Sequence, residues 1–142
     1  MKNMQKPLLI VFSVSVLVFG CSKSNKPDSA TLQGTWRGQE LGAKSKGSPS
    51  LVFTGTNCEF HGANPQEWYK ATFLLREDTT PKQLEAVITE CPFTQYVGKT
   101  VHGIYQIEDG KLTFTANEPG NPAVPASFDA QRARKFVMAQ GR

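Results

Sequence analysis

The sequence predicts an all-β domain, a sandwich or an up-and-down barrel of eight or nine short strands. Three observations predict it. Apolar and polar residues alternate along nearly every segment of the 111 residues from Leu32 to Arg142, which is the period of a strand with one buried face. Turn-forming clusters such as Gly55-Thr56, Asp78-Thr79-Thr80-Pro81 and Asp109-Gly110 punctuate those segments at short intervals, as a fold of many short strands requires. One hairpin is explicit: Gly103 to Thr115 holds two alternating runs around Asp109-Gly110. Both turn residues tolerate the positive φ of a type I′ turn, and that turn fixes the register. It sets Glu108 opposite Lys111, Ile107 opposite Leu112 and Tyr105 opposite Phe114, so Tyr105, Ile107, Leu112 and Phe114 share the core face.

Ahead of this domain stand a removable segment and a linker. Lys2 and Lys6 form a short basic start, Pro7 to Phe19 is apolar, and Gly20-Cys21 closes the run. The run is short for a bilayer span, which needs about 20 apolar residues, and it reads as a secretory signal over residues 1–20. The residues Leu17-Val18-Phe19-Gly20-Cys21 resemble the lipobox of bacterial lipoproteins, in which a small residue precedes the cysteine that becomes the lipid-bearing N-terminus. Phe19 is bulkier than that pattern prefers. The resemblance implies a lipid on Cys21, a membrane anchor and an extracytoplasmic address at the cell envelope. Each buried methylene of such a lipid contributes about 0.8 kcal/mol, so several acyl chains anchor stably. Residues 21–31 then read as a lipidated polar tether, reaching at most about 3.3 Å per residue.

Processing also changes the charge. Without Lys2 and Lys6 the 16 basic side chains become 14, against 12 acidic, a net of +2. That balance, with scattered basic residues and no zinc-ligand or helix-turn-helix spacing, excludes a nucleic-acid partner. The one basic cluster, Arg132, Arg134 and Lys135, reads as a solvated strand end.

Within the domain, Leu32 to Leu41 is the first strand and Gly42 to Pro49 a polar loop. Ser50 to Thr54 and Asn57 to His61 form a second hairpin, with Phe53, Cys58 and Phe60 as core positions. Trp68 to Arg76 alternates cleanly, with Tyr69, Ala71, Phe73 and Leu75 on one side. Gln83 to Thr89 places Leu84, Ala86 and Ile88 on one strand face; a helix over Thr79 to Glu90 is the rival, because Leu84, Val87 and Ile88 also share a helical stripe. After the opening hairpin's second strand comes a loop from Asn117 to Pro122, then a short strand or edge at Pro125 to Ala130. Lys135 to Gln140 is the last strand, with Phe136 and Met138 on one face.

The ordered set Leu32-Gln33-Gly34-Thr35-Trp36, Leu51 to Gly55, Gly103-Ile104-Tyr105 with Asp109 to Leu112, and Pro125 to Ala130 resembles a lipocalin-like domain of unknown function abundant in planctomycete proteins. The resemblance covers the whole folded part and implies a calycin-type, up-and-down barrel of about eight strands over residues 32–142, with no established activity. Gly34-Thr35-Trp36 is similar to the first-strand signature of lipocalins, in which the tryptophan closes the barrel floor under a late arginine. It implies that role for Trp36, with Arg134 or Arg142 stacked on it at about 0.5–2 kcal/mol. The family tends to carry arginine before the late proline, where this chain has Val124.

Catalytic, metal and cofactor chemistry find little here. The chain has only His61 and His102 as imidazole bases, neither in a nucleophile signature. Cys58 and His61 lie three apart in a strand and point to opposite faces, so they cannot hold one metal ion. No glycine-rich phosphate loop is present. Cys58 and Cys91 remain as an even pair. The extracytoplasmic compartment argues for a disulfide, while a simple meander places the two at opposite barrel ends, beyond the roughly 7 Å Cα limit. The bridge stays open on sequence.

Two functions remain. In one, a membrane-anchored binding module takes a small apolar or lipid-like ligand, with Tyr69, Phe73, Tyr105 and Phe114 as lining. In the other, a structural or protein-interaction module of the envelope meets a partner through an exposed rim, with Trp68 and Tyr96 as anchors. The aromatic content favours a mostly filled interior, since each buried phenylalanine contributes about 1.5–3 kcal/mol to a small domain. Eight-stranded barrels sit at the size where filling and a small cavity both occur.

Overall fold

Each strongly alternating segment becomes a strand, and eight of them close on themselves. The computed structural model describes residues 26–44 and 46–142; the apolar leader and Cys21 lie outside the described residues. The strands are β1 (Gly34–Leu41), β2 (Ser50–Thr54), β3 (Asn57–His61), β4 (Trp68–Arg76), β5 (Lys82–Glu90), β6 (Thr100–Glu108), β7 (Lys111–Ala116) and β8 (Arg134–Gln140). Sequential strands pair antiparallel, and β1 pairs with β8, so the sheet is a closed up-and-down barrel. Closure removes the unpaired edges that an open sheet would present. Among the described residues, all eight strands and the core lie within 26–142, which therefore hold the closed barrel.

The hairpin register is the expected one. Asp109 and Gly110 have φ of 51° and 74°, and Glu108 pairs with Lys111, Ile107 with Leu112 and Tyr105 with Phe114. The rivalry over Thr79 to Glu90 resolves as a strand. Leu84, Ala86 and Ile88 are buried on one face of β5, while Val87, which a helix would bury beside them, is 41% exposed.

Pro125 to Ala130 is not a strand. The whole connection between β7 and β8 lacks strand pairing, because β7 is already paired with β6 and β8, and β8 with β7 and β1, and prolines 122 and 125 lack the N–H that a ladder needs. The connection instead lies against the outside of the barrel. Ile104 and Thr115 pair on the face opposite Tyr105 and Phe114, yet are 0% and 1% exposed. Thr115 donates its hydroxyl to the Phe128 carbonyl at 3.2 Å, and Pro125 is buried. The late Pro-x-x-Phe motif thus caps an outer wall.

The folded part also begins before Leu32. Asp28–Thr31 forms a helical turn, α1, which docks across the barrel end where β1 starts. The Asp28 carboxylate accepts hydrogen bonds from Lys82 Nζ at 2.6 Å and from the Tyr105 hydroxyl at 2.9 Å. Its backbone N–H donates to Glu77 at 2.9 Å. Composition hides this docking because its partners are polar and distant in sequence. Leu32 and Trp36, 0% and 1% exposed, seal the floor, and the Trp36 indole N–H donates to the Leu32 carbonyl at 2.7 Å. Gln33 clasps the β2–β3 turn, with its amide exchanging bonds with the Gly55 backbone at 2.8 and 3.0 Å.

Gly38 lies where β1 meets β8 at its tightest. A Cβ there would meet Met138 Cα at 2.7 Å, a clash with backbone that no rotamer relieves. Gly38→Ala is expected to cost about 1–3 kcal/mol as overpacking at the closing seam, read as a lower urea midpoint at unchanged m-value. Gly141→Ala, where a Cβ would stand 3.4 Å from the Thr35 carbonyl oxygen, is the matched control and should move the midpoint little.

Candidate functional site

Alternation in a closed barrel sends every second side chain inward, and the size of those side chains decides whether the interior fills. Here the inward positions across β4 to β7 include Ala71, Ala86 and Ala116. They leave a cavity of about 360 Å³. The expectation of a mostly filled interior therefore fails. The aromatic side chains pack on one another within the lumen: Phe60 on β3 meets Phe136 on β8 edge-on at 5.2 Å, past the two strands between them, and Phe114 stacks on Phe136 at 6.3 Å. Small residues beside that cluster leave the space.

The cavity runs from a floor at Leu32 and Tyr105 to a mouth rimmed by Tyr96, Asn117, Glu118, Pro119, Arg132 and Arg134. Three of the four expected lining residues, Tyr69, Tyr105 and Phe114, are on its wall. Phe73 is not among the wall residues: it packs edge-on to Phe53 at 5.1 Å and joins the core. Phe60 and Phe136 take its place on the wall; the alternation of its segment marks Phe60 as a core position, while for Phe136 it shows only that it shares a face with Met138.

The mouth is an aromatic and ionic ring. Tyr69, Phe93 and Tyr96 touch mutually at centroid separations of 6.0, 6.5 and 6.2 Å. The Tyr96 hydroxyl donates to Glu118 at 2.7 Å, tying the segment after β5 to the segment after β7. That hydrogen bond raises the Tyr96 pKa above its ordinary value. Burial, helped by the nearby Glu67 carboxylate, pushes the Tyr69 hydroxyl up to about 12. Tyr96 and Trp68, expected as exposed anchors, are each half-buried, with Lys70 5.9 Å from the Trp68 ring.

Arg134 organises this ring. Its Nε and Nη2 donate to the two Glu40 oxygens at 2.7 and 2.9 Å, a bidentate pair. Nη1 donates to Glu67 Oε1 and Nη2 reaches Glu67 Oε2 at 3.4 Å. The guanidinium lies 5.6 and 5.1 Å from the Phe60 and Phe136 rings. Its hydrogen bonds to Glu40, more than those to Glu67, raise its pKa despite burial. Gly62 makes room for this arrangement, since a Cβ there would meet the Glu67 carboxyl.

Two expectations about arginine are thereby corrected. Arg134 is not a solvated strand end; it shares the inward parity of Phe136 and Met138, a signal present in the sequence. Nor does it stack on Trp36, because antiparallel pairing places Trp36 opposite Gln140, the far end of β8. Among the described residues no cation lies over the Trp36 ring, Arg142 included, and Trp36 closes the floor through Leu32 instead. Glu40 and Glu67, the partners of Arg134, were not legible; an isolated glutamate carries no pattern until the barrel closes.

Cys58 and Cys91 are both free thiols. They are not at opposite ends. Cys58 pairs with Ala71, which pairs with Ile88, so Cys58 sits at mid-height, three residues short of Cys91 and two strand spacings away. Those spacings alone amount to about 10 Å, past the disulfide limit of roughly 7 Å. Burial pushes the Cys58 thiol up to about 12. On the outer surface, His61 pairs with Glu59 at 2.6 Å, and His102 stands 4.0 Å from Glu85, which also binds Arg76 at 3.0 Å. Neither histidine is near the cavity wall.

Comparison of the chain with protein-family models, with curated proteins and with solved structures gave no match.

Because the thiolate is the nucleophile, a Cys58 thiol raised to about 12 is expected to react with iodoacetamide at pH 8 about a thousandfold more slowly than a free cysteine. Its rate should keep rising with pH beyond 10. Peptide mapping after timed alkylation measures this, and fast labelling at pH 8 would contradict the buried placement.

Proposed function

We propose that this chain is a membrane-anchored, extracytoplasmic module of lipocalin-like architecture that binds a small apolar or lipid-like ligand inside its barrel, without catalysis. The observation that carries the reading is the open apolar cavity of about 360 Å³, within the range of roughly 300–1,000 Å³ usual for ligand pockets. A packed interior would favour the interaction-module reading; an open one favours a ligand. Each methylene buried contributes about 0.8 kcal/mol, so a ten-carbon tail supplies about 8 kcal/mol before the costs of association, in keeping with micromolar affinity or weaker. The anchoring half of the proposal rests on Cys21 and the apolar run before it. A lipid there would hold the barrel at the membrane by its N-terminal end, with the ligand site in the folded part.

The test uses residues 26–142 and the neutral fluorescent probe N-phenyl-1-naphthylamine. The probe is expected to brighten saturably with the wild-type barrel. Ala86→Phe, which projects a ring from the cavity wall, should abolish the signal while leaving far-UV circular dichroism unchanged and the thermal midpoint equal or higher. No saturable signal from wild type, or full retention by Ala86→Phe, would contradict the reading.

A further inference from the structure

We infer that the cavity selects uncharged ligands carrying a hydroxyl or carbonyl at one end and rejects the corresponding carboxylates. The inference rests on the ligand-binding reading and adds the ligand's charge and head group to it. Its basis is the state of the cationic groups at the mouth. Arg134 looks at first like the partner of an anionic head group, since it faces inward at the mouth beside Phe60 and Phe136. Its donors are already committed. Four N–H···O contacts run to Glu40 and Glu67, leaving one of the five guanidinium hydrogens.

The charge balance points the same way. Two carboxylates, Glu40 and Glu67, surround one guanidinium, so this ion cluster carries a net charge of −1. Its carboxylate side chains are only 15% and 21% exposed, which limits screening by solvent and salt. Glu118 adds a further negative charge on the rim. Arg132, the remaining cation on the cavity wall, offsets one of these charges but is exposed. Lys135, next along β8, is bound outside by Asp129 at 3.1 Å. An entering carboxylate therefore meets Glu40 and Glu67 around Arg134 and must displace one of them to reach its guanidinium.

A neutral head group meets no such opposition. The Tyr69 hydroxyl is on the wall below the rim, and among the described residues no protein group hydrogen-bonds to it. It is free to donate to a ligand carbonyl or to exchange a bond with a ligand hydroxyl. A tyrosine hydroxyl is protonated at neutral pH, and burial moves the Tyr69 pKa further up, so it remains a donor.

The experiment compares 1-decanol with decanoate at pH 8 as competitors for N-phenyl-1-naphthylamine on residues 26–142. Decanol is expected to bind about tenfold more tightly, the effect of one unit charge at moderate effective dielectric. The Glu40→Gln/Glu67→Gln variant, which frees Arg134, should bring the two within about twofold or reverse their order. Decanoate binding as well as decanol to the wild type would overturn this inference while leaving the ligand-binding reading intact, and that comparison requires no variant to fold. Saturable probe binding with an unchanged acid-to-alcohol ratio in a folded double variant would overturn the role of the two glutamates. Absence of any probe binding would overturn both readings.

Discussion

The pairing of β1 with β8 is the constraint on which the rest depends. Six residue pairs, from Trp36 with Gln140 to Leu41 with Lys135, join the first strand to the last. With this seam made, alternation has an inside and an outside at every position, and a half-apolar sheet becomes a wall around a lumen. The seam also assembles the mouth. Glu40 sits near the end of β1 and Arg134 begins β8, 94 residues apart in sequence, so their ion pair exists only in the closed barrel. Gly38 permits the approach, because the neighbouring strand passes where a side chain would begin.

The two ends of the lumen are closed by different physics. At the floor, α1 and Leu32 seal an apolar interior, and buried polar atoms there are paired: the Trp36 N–H with the Leu32 carbonyl, the Tyr105 hydroxyl with Asp28. Burial, then the bond to Asp28, raises the Tyr105 pKa, so the hydroxyl stays a donor and the latch holds across ordinary pH. At the mouth the interior stays open, and polarity there is arranged as a ring of mutually paired groups rather than as a plug. A ligand entering from that side exchanges water for apolar wall without first breaking a structural contact. The outer wall has its own cover, in which the connection after β7 turns Ile104 and Thr115 into a second buried patch.

Local signals carried most of the architecture. The Asp-Gly turn, the alternation of β4 and β5 and the Phe136–Met138 parity each depend on residues within one or two strands, and each placed its side chains as found. What was not legible depends on closure. The proline-rich stretch near Pro125 alternates well enough to resemble a strand, but no free edge remains for it to pair with. The interior read as filled because its aromatic residues were visible, whereas Ala71, Ala86 and Ala116 also line it and leave space beside the Phe60, Phe114 and Phe136 cluster. Cys58 and Cys91 could be counted but not placed, since their separation follows from the offset of short β3 on long β4. Arg134 showed its inward parity, yet its meaning needed Glu40 and Glu67, which only the closed barrel brings to it.

Native mass spectrometry of residues 26–142, purified after export from cells, tests the central claim most directly. The account predicts a stoichiometric adduct of a small, uncharged, largely apolar compound that leaves the barrel on mild collisional activation, either as isolated or after incubation with envelope lipid extract. A bare polypeptide mass under both conditions would contradict it and would leave the open barrel without a ligand to explain it.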